Sequence, residues 1–324
     1  MAKYTSIGGQ ALIEGILMKS PEKTAMAVRM PDGEIDISYF EEKSIKEKFK
    51  FLKLPVIRGV VSFVESMLQG YKAMMISADK SGFTDLEEEN NKTDEEKKSA
   101  FFTVLMVVAT VFAVAISVVL FMLLPRLFVA GLEWLAGAEF SKLVRSFIEQ
   151  FLKLAVFVFY VWLVSFMKDI KRVFMYHGAE HKTIFCYEKG LELTVENVRE
   201  QKRFHPRCGT SFMILMILIS VIFSTVVQII FPSVYNLALV WVAVKILLVP
   251  FVCGVGYEVL KVCGRYDNLL TRIISAPGLW LQRITTKEPE DKMIEIAIAA
   301  LKACEPETPD VDRSIDKETD NDNI

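Results

Sequence analysis

The chain has 324 residues, 52% of them hydrophobic and 24% charged, with a formal net charge of −2. A mean hydropathy of +0.34 is too high for an ordinary soluble protein. Near-neutral charge without a basic–aromatic pattern gives no indication of nucleic acid as a partner, and no internal repeat or glycine-rich phosphate loop is present.

Length allows one to three domains. The first forty residues are polar and lack the apolar core of a cleavable signal. Residues 1–54 read as a small cytoplasmic α+β segment. Thr24–Met30, Pro31-Asp32-Gly33 and Glu34–Tyr39 predict strand, turn and strand, a β-hairpin centred on the turn-forming PDG. Upstream, Gly8, Gly9 and Gly15 in SIGGQALIEGILMKSP allow close backbone approach, and Glu14 stands among apolar neighbours.

Residues 55–80 predict an amphipathic helix. Arg58, Ser62, Glu65, Gln69 and Lys72 step by four and three, while Val60, Val61, Val64, Met67, Leu68 and Tyr71 fill the other face. Such a helix lies on a membrane surface or packs on a bundle. Asp85–Lys98 carries seven acids and three bases, so 81–100 reads as an acidic linker.

Four apolar runs follow, at about 101–124, 147–167, 212–231 and 237–257. Phe101–Leu124 is long enough for a hydrocarbon core of ~30 Å at ~1.5 Å per residue. The second run begins with Glu149 and Lys153, an i, i+4 pair that partly compensates itself. The fourth contains Lys245 and Pro250. Lys245 is an intramembrane cation, functional in its own right or a side chain that snorkels or pairs with another span. Gln228 in the third run suits an interhelical hydrogen bond. The expected class is therefore mainly α: a four-helix transmembrane bundle at 101–260 with interfacial helices and a small cytoplasmic hairpin. Residues 261–304 read as cytoplasmic helices, with Pro277 and Pro289 each suited to a first helical position. Residues 305–324 read as a disordered acidic tail.

All three histidines fall in one stretch, His177 and His181 in YHGAEHK and His205 in FHPRCG. His177 and His181 are i, i+4, on one face of a helix. His205 and Cys208 follow as a second pair at metal-ligand spacing. Imidazole plus thiolate favours zinc over magnesium or calcium, with another divalent ion as the alternative. The five cysteines lie at cytoplasmic positions or membrane ends, where thiols stay reduced. HGAEH has the H-x-x-E-H form of an inverted zinc-protease motif, which makes Glu180 the candidate general base. Glu14 and Glu258 are candidates to orient an imidazole from outside the ligand set. Gly209-Thr210-Ser211 reads as a helix cap, or as amides that bind an anion. A metal-free acid–base site and histidines with no shared role are the bland alternatives.

GGQALIEGILMKSP, PVIRGV, YHGAEHKTI, ENVR, HPRCGTSF and APGLWLQR, in that order, resemble the bacterial YqhQ family. The resemblance runs nearly to Ala303. It implies a multi-pass membrane protein of a kind sometimes labelled a metal-dependent enzyme, and it carries over no demonstrated catalytic residue.

Two function classes stay open. One is a membrane metal-dependent hydrolase acting at the cytoplasmic face on a peptide or lipid-linked substrate. The other is a non-enzymatic scaffold or membrane-protein biogenesis factor with a structural zinc. The lipid bilayer is the expected partner in both, and other membrane proteins or a second copy of the chain fit either. Lys and Arg number fifteen before Phe101 and nine from Lys168 to Arg207, against three in 125–146 and none in 232–236. The positive-inside rule then predicts a multi-pass cell-membrane protein with both termini and the 168–210 loop cytoplasmic. Labelling of single cysteines introduced into that loop should require permeabilised cells; labelling from outside would overturn the topology.

Overall fold

The computed structural model describes residues 7–40, 44–47, 49–83, 108, 111–113, 115–117, 119–206, 208–231, 233, 238–266 and 268–305. The protein is mainly α with one small sheet. Its contacts divide it into two units, the first made of 1–84, 165–216 and 249–324, the second of 85–164 and 217–248.

In the first unit the sheet comprises β1 (Gly8–Leu12), β2 (Gly15–Lys19), β3 (Thr24–Arg29) and β4 (Ile35–Phe40), antiparallel in the order β1-β2-β3-β4. β3 and β4 are the predicted hairpin. β1 and β2 add a second hairpin that the pattern did not announce, because β2 and β3 are covered on both sides. Ile16, Met18, Ala25 and Ala27 face one core, while Leu17, Met26 and Val28 face another with Ala73. A strand buried on both faces reads as an unbroken apolar run rather than an alternation. Glu14 occupies the turn between β1 and β2 at φ 49°, and its carbonyl accepts the amide of Arg29 at 2.8 Å.

Helix α1 (Ile57–Lys80) covers one face of the sheet, where Ala73 is fully buried. The other face packs on two helices introduced below, one bearing the histidines and one at the C-terminal end. Full burial of an Ile, Leu or Met side chain contributes roughly 1.5–3 kcal/mol, so the doubly covered strands are a major source of this unit's stability.

Among the described residues four helices are long and apolar enough to cross a membrane: Val111–Ala136, Leu143–Val164, Gly209–Ile230 and Ala243–Cys263. Much of the run expected at 101–124 lies outside the described residues. The described part continues as α2 (Leu124–Ala136), with Pro125 in its first turn, and ends on Gly137 in the left-handed conformation. Next come α3 (Lys142–Val164), α4 (Lys168–Glu188) and the short α5 (Val195–Arg199). α6 (Gly209–Ile230) and α7 (Ala238–Arg265) carry the last two candidate spans, and Pro250 lies inside α7. The expected linker at 81–100 and tail at 305–324 lie outside the described residues apart from 81–83 and Glu305.

α8 (Leu269–Thr285) starts earlier than Pro277 suggested. Asn268 and Thr271 form a reciprocal capping box, which opens the helix and leaves Pro277 inside it. Pro289 precedes α9 (Asp291–Cys304), whose N-cap is Glu290. α9 and α4 pack on the face of the sheet opposite α1. Met293, Ile294, Ile296, Ala297 and Leu301 of α9 join Tyr176, Ala179 and Ile184 of α4 in that core.

α1 is wedged against α7 at its first turn. Val56 adopts φ 69°, ψ −54°, and the Ile57 amide bonds to the Pro55 carbonyl at 2.8 Å. This is a classical γ-turn, rare and strained. Gly254 makes room for it, since a Cβ there would collide with the Val56 carbonyl and side chain, and Gly59 approaches Tyr257 and Gly254 equally closely. Arg58 closes the joint with a bidentate pair to Glu258, 2.7 and 2.5 Å. Gly254→Ala should therefore lower stability by about 1–3 kcal/mol, the range for overpacking, measured as a drop in unfolding temperature in detergent. A conservative Ala at exposed Gly131, which has open space, should not.

Candidate metal centre

HGAEH lies within α4, so His177 and His181 share a helical face as their spacing requires. α4 ends in a Schellman-like closure: Gly190 is left-handed at φ 68°, and the Gly190 and Leu191 amides bond to the carbonyls of Tyr187 and Cys186. Thr194 then caps α5, its hydroxyl accepting the Asn197 amide at 3.2 Å. The chain folds back so that Cys208, immediately before α6, meets the two histidines.

His177 Nε2 stands 3.0 Å from Cys208 Sγ, and the two imidazole centroids are 4.4 Å apart. The ligand atoms of His177, His181 and Cys208 all lie within 4.8 Å of one another, and the group is buried. A tetrahedral ion with bonds of ~2.0–2.3 Å spaces its ligand atoms roughly 3.3–3.8 Å apart. The trio's spacing is near that range, and it is a cluster that could hold an ion.

The tautomers suit that role. His177 Nδ1 lies 2.8 Å from the Thr285 carbonyl, and His181 Nδ1 lies 2.5 Å from the Arg203 carbonyl. A carbonyl only accepts, so each Nδ1 carries a proton and each Nε2 is left to face the sulfur. Thr285 is the last residue of α8, where helix carbonyls lack an intrahelical partner.

Electrostatics concentrate on the sulfur. Burial works against ionisation of Cys208, but His177 and His181 outweigh it and hold the thiol well below its ordinary range. The Thr210 amide, in the first turn of α6, approaches Sγ at 3.4 Å and the Thr210 hydroxyl at 3.2 Å, as expected for a thiolate at a helix N-terminus. Burial alone would depress His177; the Cys208 thiolate, with help from Glu180, pushes it up to about 9. Glu180 lies in the same field. Burial raises its carboxyl above the usual range, with the histidines and the Gly9 amide opposing. Gly9 is required there, since a Cβ would come within 2.9 Å of the Glu180 Cγ.

The structure brings three of the four expected ligands together. His205 is not among the converging ligand atoms: its ring stands 5.6 Å from that of His181 and 4.8 Å from that of Phe185, and its Nε2 lies 3.6 Å from Glu188. Its main chain is held by Gln282, which accepts the His205 amide at 2.8 Å and donates to its carbonyl at 2.7 Å. Glu14 and Glu258 do not orient the imidazoles; main-chain carbonyls do. Glu258 is bound by Arg58, and Glu14 by Arg172 at 2.5 and 2.6 Å and by the Tyr176 hydroxyl at 3.0 Å. Bidentate guanidinium pairs are among the strongest partners a carboxylate can find.

A family model described as "Protein of unknown function (DUF1385)" matches residues 54–307. The chain is also 35% identical over 296 residues to the Bacillus subtilis (strain 168) protein called "Uncharacterized protein YqhQ", covering 90% of this chain and 89% of that one. The chain belongs to this family. No solved structure matches it.

Residues that the sequence reading of this family member missed are the ones that build the frame. Gln282, fully buried, also donates to Ser211 at 2.9 Å and so ties α8 to the His205 loop and the start of α6. Gly278 lets the two helices cross, its notional Cβ falling 2.6 Å from Ser211. Gly178 allows the Lys287 carbonyl against α4, and the Lys287 amide bonds to the Phe174 carbonyl at 2.8 Å. The available signals were slight: one amide inside the apolar GLWLQ, and one glycine between the two histidines.

In metal-free protein, thiolate ultraviolet absorbance should reveal one cysteine ionised well below the ordinary ~8.5, absent from Cys208→Ala and shifted upward in His177→Gln. Cys186 and Cys304 should ionise late, because burial pushes both thiols up, Cys304 to about 12. A titration with no early cysteine would contradict the described contact.

Proposed function

We propose that this protein is a membrane-bound, metal-dependent hydrolase whose ion is held by His177, His181 and Cys208, with zinc as the ion that the donor set suits best. The observation that carries the reading is Glu180, a buried carboxyl beside a three-ligand cluster, supported by a glycine amide rather than a salt bridge among the described residues. A bound divalent ion would supply Lewis acidity and make water a nucleophile near neutral pH. Glu180 would accept the proton from that water and return it to the leaving group, the role a carboxyl with a raised pKa suits. The Thr285 and Arg203 carbonyls hold the imidazoles in the tautomer that offers Nε2. Cys208 adjoins the first turn of a helix apolar enough to span a membrane, which supports a peptide or lipid-linked substrate met at the cytoplasmic face.

The same burial of His181 and Cys208, 1% and 6% exposed, supports the second reading, a structural zinc in a membrane scaffold or biogenesis factor. Metal analysis of the purified protein separates them. About one divalent ion per chain is expected, lost in His177→Ala, His181→Ala and Cys208→Ala and retained in His205→Ala. Glu180→Gln should keep the metal and the unfolding temperature yet lose roughly 10²–10⁴-fold in turnover of peptide or lipid-ester substrates. Unchanged turnover in Glu180→Gln, or metal binding that survives loss of Cys208, would refute the hydrolase.

A further inference from the structure

α8 is built the wrong way round for a helix in water. Thr271, Gly278, Gln282 and Thr285 share its buried face, where Gln282 holds the main chain of His205 and the Thr285 carbonyl holds His177. Leu269, Ile273 and Trp280 step by four and seven along the opposite face and are 54–76% exposed. Exposed Arg272 and Arg283 border that stripe, about three turns apart. α1 has the same inversion. Gly59, Gly70, Ala73 and Ser77 are buried, while Met67, Leu68, Tyr71 and Met75 are each more than half exposed, beside exposed Lys72. Just before α1, Phe49, Phe51 and Leu54 are also more than half exposed, interleaved with exposed Lys50 and Lys53. α9 of the same unit follows the ordinary rule: Met293, Ile294, Ile296 and Leu301 are buried, and Lys292, Glu295 and Lys302 face outward.

Neither α1 nor α8 is among the four candidate spans, yet both are fastened to the start of α6 or the last part of α7. Gly278 of α8 meets Ser211 in the first turn of α6, the Phe63 ring of α1 lies 5.5 Å from that of the adjoining Phe212, and Val56 packs against Gly254 of α7. Where those spans meet the membrane surface, the outward faces of α1 and α8 are held beside it. Whatever covers these faces must be apolar at its centre and negative at its rim. The boundary between acyl chains and headgroups has that character: aromatic rings such as those of Tyr71 and Trp280 sit between hydrocarbon and water there, and Lys or Arg meets lipid phosphate. A basic border favours a leaflet rich in anionic lipid.

We propose that residues 49–54 and the outward faces of α1 and α8 form a collar that lies in the membrane surface beside the start of α6 and the end of α7, and that binds anionic phospholipid in preference to zwitterionic. α8, expected from the sequence to be a cytoplasmic helix, is then an interfacial one. The collar does not depend on the metal or on the hydrolase reading.

The test replaces Phe51, Tyr71 or Trp280, one at a time, with photoreactive p-benzoylphenylalanine in the full chain, in nanodiscs of phosphatidylcholine with a minority of phosphatidylglycerol. Each of these side chains is more than half exposed, so the replacement leaves the packing intact, and three separate sites keep the test decisive should one variant fail to fold. Exposed Lys302 of α9 is the control site. After irradiation, intact-mass spectrometry should show phospholipid adducts at all three sites and none at the control. At Phe51, phosphatidylglycerol should exceed its share of the bilayer by roughly fivefold for each neighbouring lysine. Lys50→Gln together with Lys53→Gln should return it to that share. Adducts to a second copy of the chain in place of lipid at Tyr71 and Trp280, no lipid adduct at those sites, or adducts as frequent at Lys302, would overturn the collar. Lipid adducts with no excess of phosphatidylglycerol, or an excess unchanged by the lysine substitutions, would overturn its preference for anionic lipid.

Discussion

The contact between Cys208 Sγ and His177 Nε2 is the joint on which the first unit is organised. It ties a half-polar helix to the residue before a helix of almost purely apolar sequence. A thiolate is costly to bury, and the structure offsets that cost with two imidazoles and a helix N-terminus. The imidazoles are fixed in turn by carbonyls from two separate segments, so a change in any of four chain regions is felt at the sulfur.

The sheet serves this arrangement from a distance. Its two central strands are buried on both faces, which makes β1 a rigid rail along α4. Gly9 of that rail supports Glu180, and the β1–β2 turn delivers Glu14 to Arg172 and Tyr176 one residue from His177. α9 holds the opposite side of α4, and the segment joining α8 to α9 adds Lys182–Glu288 and Arg203–Glu288 pairs around the same helix. Lys182 is 4% exposed, so its pairing with Glu288 and the Arg199 carbonyl satisfies a buried ammonium rather than decorating the surface.

What could be read from the chain was whatever depends on neighbours along it. The last three apolar runs, the PDG hairpin and the i, i+4 histidines appear near their expected places, because each is fixed by residues within a few positions of itself. What could not be read depends on partners far away. Strands β1 and β2 lacked alternation because helices cover both faces. His205 had the spacing of a ligand, but Gln282 holds its main chain, and its ring lies beside His181 with Nε2 toward Glu188. Glu14 and Glu258 stood among apolar residues, as functional carboxylates often do, and each was claimed by an arginine more than 150 residues distant in sequence. Pro277 resembled a helix start until the Asn268 capping box opened the helix earlier.

The bond from His177 to the Thr285 carbonyl spans 108 residues, and that separation matters while the protein is being made. Chains grow at about 5–20 residues per second, so Thr285 emerges from the ribosome roughly 5–20 s after His177. During that interval α6 and α7 are synthesised, while the His177 ring lacks the carbonyl that fixes its tautomer. The Cys208 sulfur therefore leaves the ribosome before its pocket is complete, and α8 both finishes its own C-terminus and completes that pocket.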